Sequence, residues 1–355
     1  MNLSAQEIQQ KIKRGETLQN FSAAGMTLAG LDLSGAIFSH IDFSATDFSA
    51  ANLHSAVFNE CLLPGARFAD ATLRQTSFNL CDMRECRFPG TPLASCTFNQ
   101  CDLTRADFSH AQHDKVQFMQ GTLDDALFNH SELHHVIFVS LTLNAAQMAA
   151  TTQRLTTFFR LDLRQVDFSD ASFDRTTFFE CDQRGKRYAG QHLHGCQFTD
   201  NPLDDTDFSR ARLTQCNFKG ASLQRAVFDS ADARQALFIG ADLSRSACRH
   251  GRFDQAVFVA ARLDGADFSH SNLSQAILQQ ARASSAVFQG CELAYSDFTQ
   301  ADISHADFRQ AHFMRTRLHR SHQHGAHFSD RQGVLENDPE LLAAEIWNAR
   351  RQNRL

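Results

Sequence analysis

Six histidines crowd one stretch near the end of the sequence: His305, His312, His319, His322, His324 and His327. Imidazoles at that density are the raw material of a metal site or a pH sensor. The 355-residue chain also holds ten cysteines, which could act as nucleophiles, metal ligands or disulfide partners. Its 40 carboxylates could work in acid–base pairs. None of these sets is spaced as that chemistry requires. The sequence contains no C-x-x-C, H-E-x-x-H or G-x-S-x-G, and neither of the common glycine-rich phosphate loops.

What the chemistry-bearing residues share is a register. Every fifth residue from Leu28 to Phe328 gives 61 positions, and only His113, Gln153, Gln183 and Gln323 among them are polar. A chain that is 43% hydrophobic would place about 26 apolar residues there by chance. Two residues earlier stands a small residue, with Asp, Asn or another polar residue between, as in Ala106-Asp107-Phe108 and Ala266-Asp267-Phe268. A helix would repeat its apolar face every 3.6 residues and a flat strand every 2, so a strict period of five needs a backbone that turns a corner each time. The 32 Phe, against 2 Tyr and 1 Trp, belong to this pattern: 25 of them fall at numbers ending in 8, whereas numbers ending in 3 are mostly Leu.

The unit A-[DN]-[LF]-x-x resembles that of the pentapeptide repeat family, over about 300 of the 355 residues. The resemblance implies an all-β fold, a right-handed quadrilateral β-helix with four pentapeptides per coil and both the large and the small residues pointing inward. About 15 coils at ~4.8 Å each would form a rod on the order of 70 Å long. Ten residues is then half a coil, so Phe should line two opposite faces and Leu the other two. The expected organisation is a capping helix and lead-in over 1–24, the β-helix over 25–330 and a C-terminal helix over 331–355.

In that register nine of the ten cysteines occupy the small inward position, and Cys248 replaces a large residue. They act as slightly larger alanines in a reducing compartment, and no metal site or cofactor is expected. Ser4 with Glu7 makes a capping box, with Gly15 ending the helix. Asp338-Pro339-Glu340 starts a second helix that either plugs the last coil or forms a homodimer, with Trp347 beside it. Residues 20 apart should stack, which places His312 beside Glu292, His322 beside Asp302 and His327 beside Asp307. Composition falters at 144–157 and 181–192. In the second stretch Lys186 falls at an inward position and is expected to escape through a bulge. With Arg184, Arg187 and Tyr188 it makes the local candidate for a partner contact, and Trp347 is a further one.

A convex rod has no natural pocket, so catalysis is not expected. A net charge of −6, from 40 acids against 34 bases mixed along the chain, offers no basic field for nucleic acid. No stretch has the roughly 20 apolar residues of a membrane span, and the N-terminus lacks a signal-peptide core, so a cytoplasmic monomer or C-terminal homodimer is expected. What remains is protein binding. The opening GETLQNFSAAGMTLAGLDLSGA resembles pentapeptide repeat proteins associated with bacterial type VI secretion, which implies a scaffold or adaptor for secretion-apparatus components. The alternative implied by the family is a DNA mimic that binds DNA gyrase or topoisomerase IV and confers quinolone or toxin protection. DNA mimics of the family are more acidic than this chain.

Overall fold

The computed structural model describes residues 3–352, the side chains of 349–352 excepted. Nearly every fifth residue sits at a corner in the left-handed region: Ala45, Ala50, Ser55 and Glu60 take φ of 54, 56, 57 and 50°. That conformation strains any L-residue, and β-branched ones most. Accordingly, no Val, Ile or Thr stands at any position ending in 0 or 5 between 20 and 325. Many corners are closed by the small inward residue, as where the Ala51 N–H donates to the Phe48 carbonyl at 3.0 Å and the Ala226 N–H to that of Leu223 at 3.1 Å.

Four such corners return the chain over itself, and residue i pairs in parallel with i+20, Phe38 with Phe58 and Phe58 with Phe78. The chain is therefore an all-β parallel solenoid of about 16 turns with two short helices. It divides into two compact units, Met1–Gln183 and Arg184–Leu355. In the first, a nine-stranded parallel sheet runs from Leu18–Gln19 through Ile37–Ser39 to Thr177–Phe179. Behind it two files of Phe meet. Phe58, Phe78 and Phe98 stack at 4.8 and 5.1 Å, Phe68, Phe88 and Phe108 at 4.6 and 4.8 Å, and the files touch edge to face, Phe68 against Phe78 at 85°. Offset stacking within a file and T-shaped contact between files are both favourable ring geometries. The second unit repeats the plan with one bridging residue per side, as in Leu237 with Val257 and Val257 with Ile277.

The polar members of the repeat have backbone work. Thr46, Thr76 and Cys61 at the small position each donate to the carbonyl 23 residues back, at 2.9, 2.9 and 3.6 Å. These three can stand in for Ala there because each satisfies its own donor inside the core, whereas the Thr176 hydroxyl has no partner. The Asp after it accepts from the residue two on, as Asp42 does from the Ser44 N–H at 2.9 Å and hydroxyl at 2.5 Å. These hydrogen bonds, the hydroxyl first, hold the Asp42 and Asp302 carboxyls below the usual range.

The ends extend the coils beyond the expected limits. Pairing begins at Leu18, against Phe38, ahead of residue 25, and persists to Val334–Leu335, against Thr316–Arg317, past residue 330. Helix α1 (Ala5–Lys13) carries the expected capping box and buries Ile8. Helix α2 (Pro339–Gln352) is capped by Asp338, whose carboxylate accepts from the Glu340 and Leu341 N–H groups at 3.0 Å each. It does not bury an apolar face as a plug would: Leu341, Ile346 and Trp347 are exposed, Trp347 by 64%. Polar contacts hold it instead, with Glu345 taking hydrogen bonds from the buried His319 at 3.2 Å and from Arg320 at 3.0 Å. Among the described residues no helix is long and apolar enough to cross a membrane.

Candidate interaction surfaces

The expected contact at 184–188 dissolves in part. Tyr188 is fully buried, stacked on Phe208 at 5.4 Å with 11° between the planes. It fills an ordinary large inward position and cannot meet a partner. Lys186 does not bulge out. Gly185 and Gly190 hold the corners at φ 69 and 73°, Asp207 donates to the Lys186 carbonyl at 2.8 Å, and the side chain stays at the inward position with 9% exposure. The backbone ladder keeps its register and the lysine follows it. Arg184 and Arg187 are exposed, as is Trp347 on α2.

At 144–157 the register also holds. Gln153 is buried between Leu133 and Phe173 of the flanking coils and donates to the Thr151 hydroxyl at 3.1 Å. The histidine stacking rule is met where Glu292 bridges His312, Asp302 bridges His322 and Asp307 pairs with His327.

A surface that the sequence reading passed over lies on the nine-stranded sheet. The residue after each inward Phe points outward, and along this column Asn59 and Asn79 form a polar ladder with an Asn–Asn bond of 3.0 Å. Further along, the same column becomes apolar: Met119, Val139, Phe159 and Phe179. The rings of Phe159 and Phe179 stack at 5.3 Å and 2°, and Phe179 is 42% exposed. Arg160 lies over Phe159 at 4.9 Å and pairs with Glu180 at 2.7 Å, so the stripe has a charged rim. The signal was present as Phe-Val-Ser, Phe-Phe-Arg and Phe-Phe-Glu, where the repeat normally turns polar after its large residue. In the second unit Leu237, Val257 and Ile277 form a similar outward ladder flanked by Ile239 and Val259. Contiguous apolar surface of this kind with a polar rim is characteristic of protein-binding faces.

Elsewhere several surface arginines are paired with aspartates. Arg84, Arg164 and Arg309 each reach the Asp two residues before at 2.6 Å, and Arg225 and Arg249 reach the Asp one coil earlier at 2.7 and 2.6 Å. The guanidinium of Arg225 holds the Asp205 carboxyl below its ordinary value. The thiols are shut away: all ten are free and buried, and burial pushes Cys96 and Cys291 up to about 12.

In comparisons with known proteins, the family model described as pentapeptide repeats matches in eight copies, within residues 28–63, 51–90, 61–100, 81–112, 206–245, 241–280 and 284–320. Solved structures similar to the chain include HetL, a pentapeptide repeat protein involved in heterocyst differentiation regulation in the cyanobacterium Nostoc. It is 18% identical, with 71% of this chain and 91% of that one covered and a TM-score of 0.17. Another is QnrB1, a plasmid-mediated fluoroquinolone resistance protein, 16% identical over 76% of this chain and 95% of that one, TM-score 0.29. A third is a pentapeptide repeat protein of the Arabidopsis thaliana thylakoid lumen, 32% identical over 34% of this chain and 67% of that one, TM-score 0.21. No curated protein matches the chain in sequence.

Proposed function

Because the chain belongs to the pentapeptide repeat family, we propose that it is a non-enzymatic protein-binding scaffold, and that the apolar stripe of Met119, Val139, Phe159 and Phe179 is its principal docking face. The single observation that carries this reading is the stacked, outward Phe159–Phe179 pair, in a column that is polar Asn further back in the same sheet. Covering one such ring is worth ~1.5–3 kcal/mol, and leaving it in water has no structural return. Arg184, Arg187 and the C-terminal Trp347 are secondary contacts, the last suited to a homodimer through α2. A component of a bacterial type VI secretion apparatus is the partner of first choice. A type II topoisomerase ranks behind it, since a DNA mimic needs an unbroken acidic face and here Arg–Asp pairs interrupt the carboxylates.

The test is affinity capture from the native cell extract with wild type and with a Phe159→Glu/Phe179→Glu variant, compared by mass spectrometry. The scaffold reading expects defined partner chains with the wild type that the variant loses, while its circular dichroism spectrum is unchanged. Capture of topoisomerase subunits, followed by altered supercoiling in the presence of the protein, would reverse the order of partners. Equal capture by both proteins would remove the stripe from consideration.

A further inference from the structure

We propose that Asp114, His134 and His135 form a binding site for a divalent transition-metal ion on the first unit. The strands Gln112–Asp114 and Glu132–His134 pair in parallel, and their register sets His134 directly beside Asp114 on the neighbouring coil. Both side chains are half-buried and His135 follows at the corner, exposed, with φ of 53°. One donor atom from each of the three lies within 4.8 Å of the other two. His134 Nδ1 is 3.1 Å from Asp114 Oδ1, and the two imidazoles lie 4.1 Å apart between centroids.

Those distances suit a common ion. Zinc–nitrogen and zinc–oxygen bonds are ~2.1 Å, so adjacent donors on one ion stand ~3.0–3.4 Å apart and opposed ones about 4.2 Å. The Asp114–His134 pair already has the first spacing. His135 closes the remaining gap by turning about its side-chain bonds, which its exposure permits. The other Asp114 oxygen, Oδ2, lies 4.0 Å from Lys115 Nζ, beyond hydrogen-bond distance, so the lysine does not occupy Oδ1. The cation stacked above His134, Arg154, is directed to Asp174 at 3.5 Å. Two imidazoles and one carboxylate favour zinc, cobalt, nickel or copper over calcium or magnesium. Three protein ligands leave coordination positions for water or for a group from a docked partner. The corner carrying His135 leads straight into the strand Ile137–Val139.

The experiment titrates the metal-stripped full chain with Co²⁺, followed by its visible d–d absorption, and with Zn²⁺ by calorimetry. One ion per chain is expected. Affinity should fall at least tenfold in His134→Asn, in His135→Asn and in Asp114→Asn, and should be kept in His250→Asn, a histidine stacked on His270 in the second unit. A second measurement needs no variant: Zn²⁺ should protect His134 and His135 of the wild type from diethyl pyrocarbonate, read by mass spectrometry, while His250 remains modified. Absence of a d–d band in the wild type, undiminished affinity in the three variants, or equal labelling with and without Zn²⁺ each overturns the proposal.

Discussion

His113 takes the place of a Leu or Phe in the stack, between Leu93 and Leu133, with the rings of Phe108 and Phe128 at 5.6 and 5.7 Å. Neither ring nitrogen has a hydrogen-bond partner, and burial lowers its pKa to about 4. An unfolded chain binds a proton there near pH 6.5, whereas the folded one binds it only near 4. His113's contribution to stability is therefore intact above the unfolded value and lost as pH falls through the folded one. His113→Leu should raise the melting temperature at pH 7 and flatten its decline between about pH 6.5 and 4, as thermal melts across that range would record. At the other extreme, Phe228→Asp buries a charge among stacked rings and should unfold or fray the coils, while Arg225→Ala removes an exposed pair with Asp205 and should stay within ~0.5 kcal/mol of wild type. Denaturant melts showing the reverse order would put the inward register in error. Single residues of this kind were legible wherever the period of five placed them, His113 and Phe228 included. Lys186 and Tyr188 lie inward, against the expectation of an exposed contact, because the backbone ladder and not side-chain preference decides which way each position faces.

A corner of the solenoid is the smallest element with a sequence rule of its own. Ala50 holds φ at 56°. Ala50→Gly should relieve strain and Ala50→Val should add to it, separating the two variants by at least ~1–2 kcal/mol in denaturant melts. Equal stabilities would mean that the corner is not where the backbone is strained. The helices differ in legibility. The capping box of α1 and the Asp338-Pro339 start of α2 were plain, because capping is a local interaction between neighbours in sequence. Whether α2 turns its apolar side chains inward was not, because that depends on contacts made by His319 and Arg320 from preceding coils. With Leu341, Ile346 and Trp347 outward, an Ile346→Arg/Trp347→Arg variant should shift a dimer toward monomer in sedimentation velocity. A wild type that stays monomeric across the concentration range would remove the homodimer.

At the scale of the whole molecule, each unit has a largely apolar interior, so the ten buried thiols should resist aqueous disulfide reagents in the native state and react together on unfolding. Fast labelling of any of them without denaturant would mean coils that open locally. Four sides per coil came as what the pentapeptide repeat resemblance implies, whereas the period of five and its inward register could be read from the residues because each coil repeats the same local solution. The docking stripe could not, since the repeat tolerates any side chain at an outward position and only the stacking of coils shows that Met119, Val139, Phe159 and Phe179 are neighbours. The same 20-residue pairing makes length a discrete variable within either unit. Removing a whole coil's worth of chain rejoins every ladder in phase, as slippage between similar repeats in the gene would do. Deleting five residues leaves the inward pattern intact yet rotates everything downstream by a quarter turn, carrying a binding face to a new compass point, whereas deleting one residue turns the core inside out. The fold thus admits inheritance by whole coils and by quarter turns, and punishes any other step.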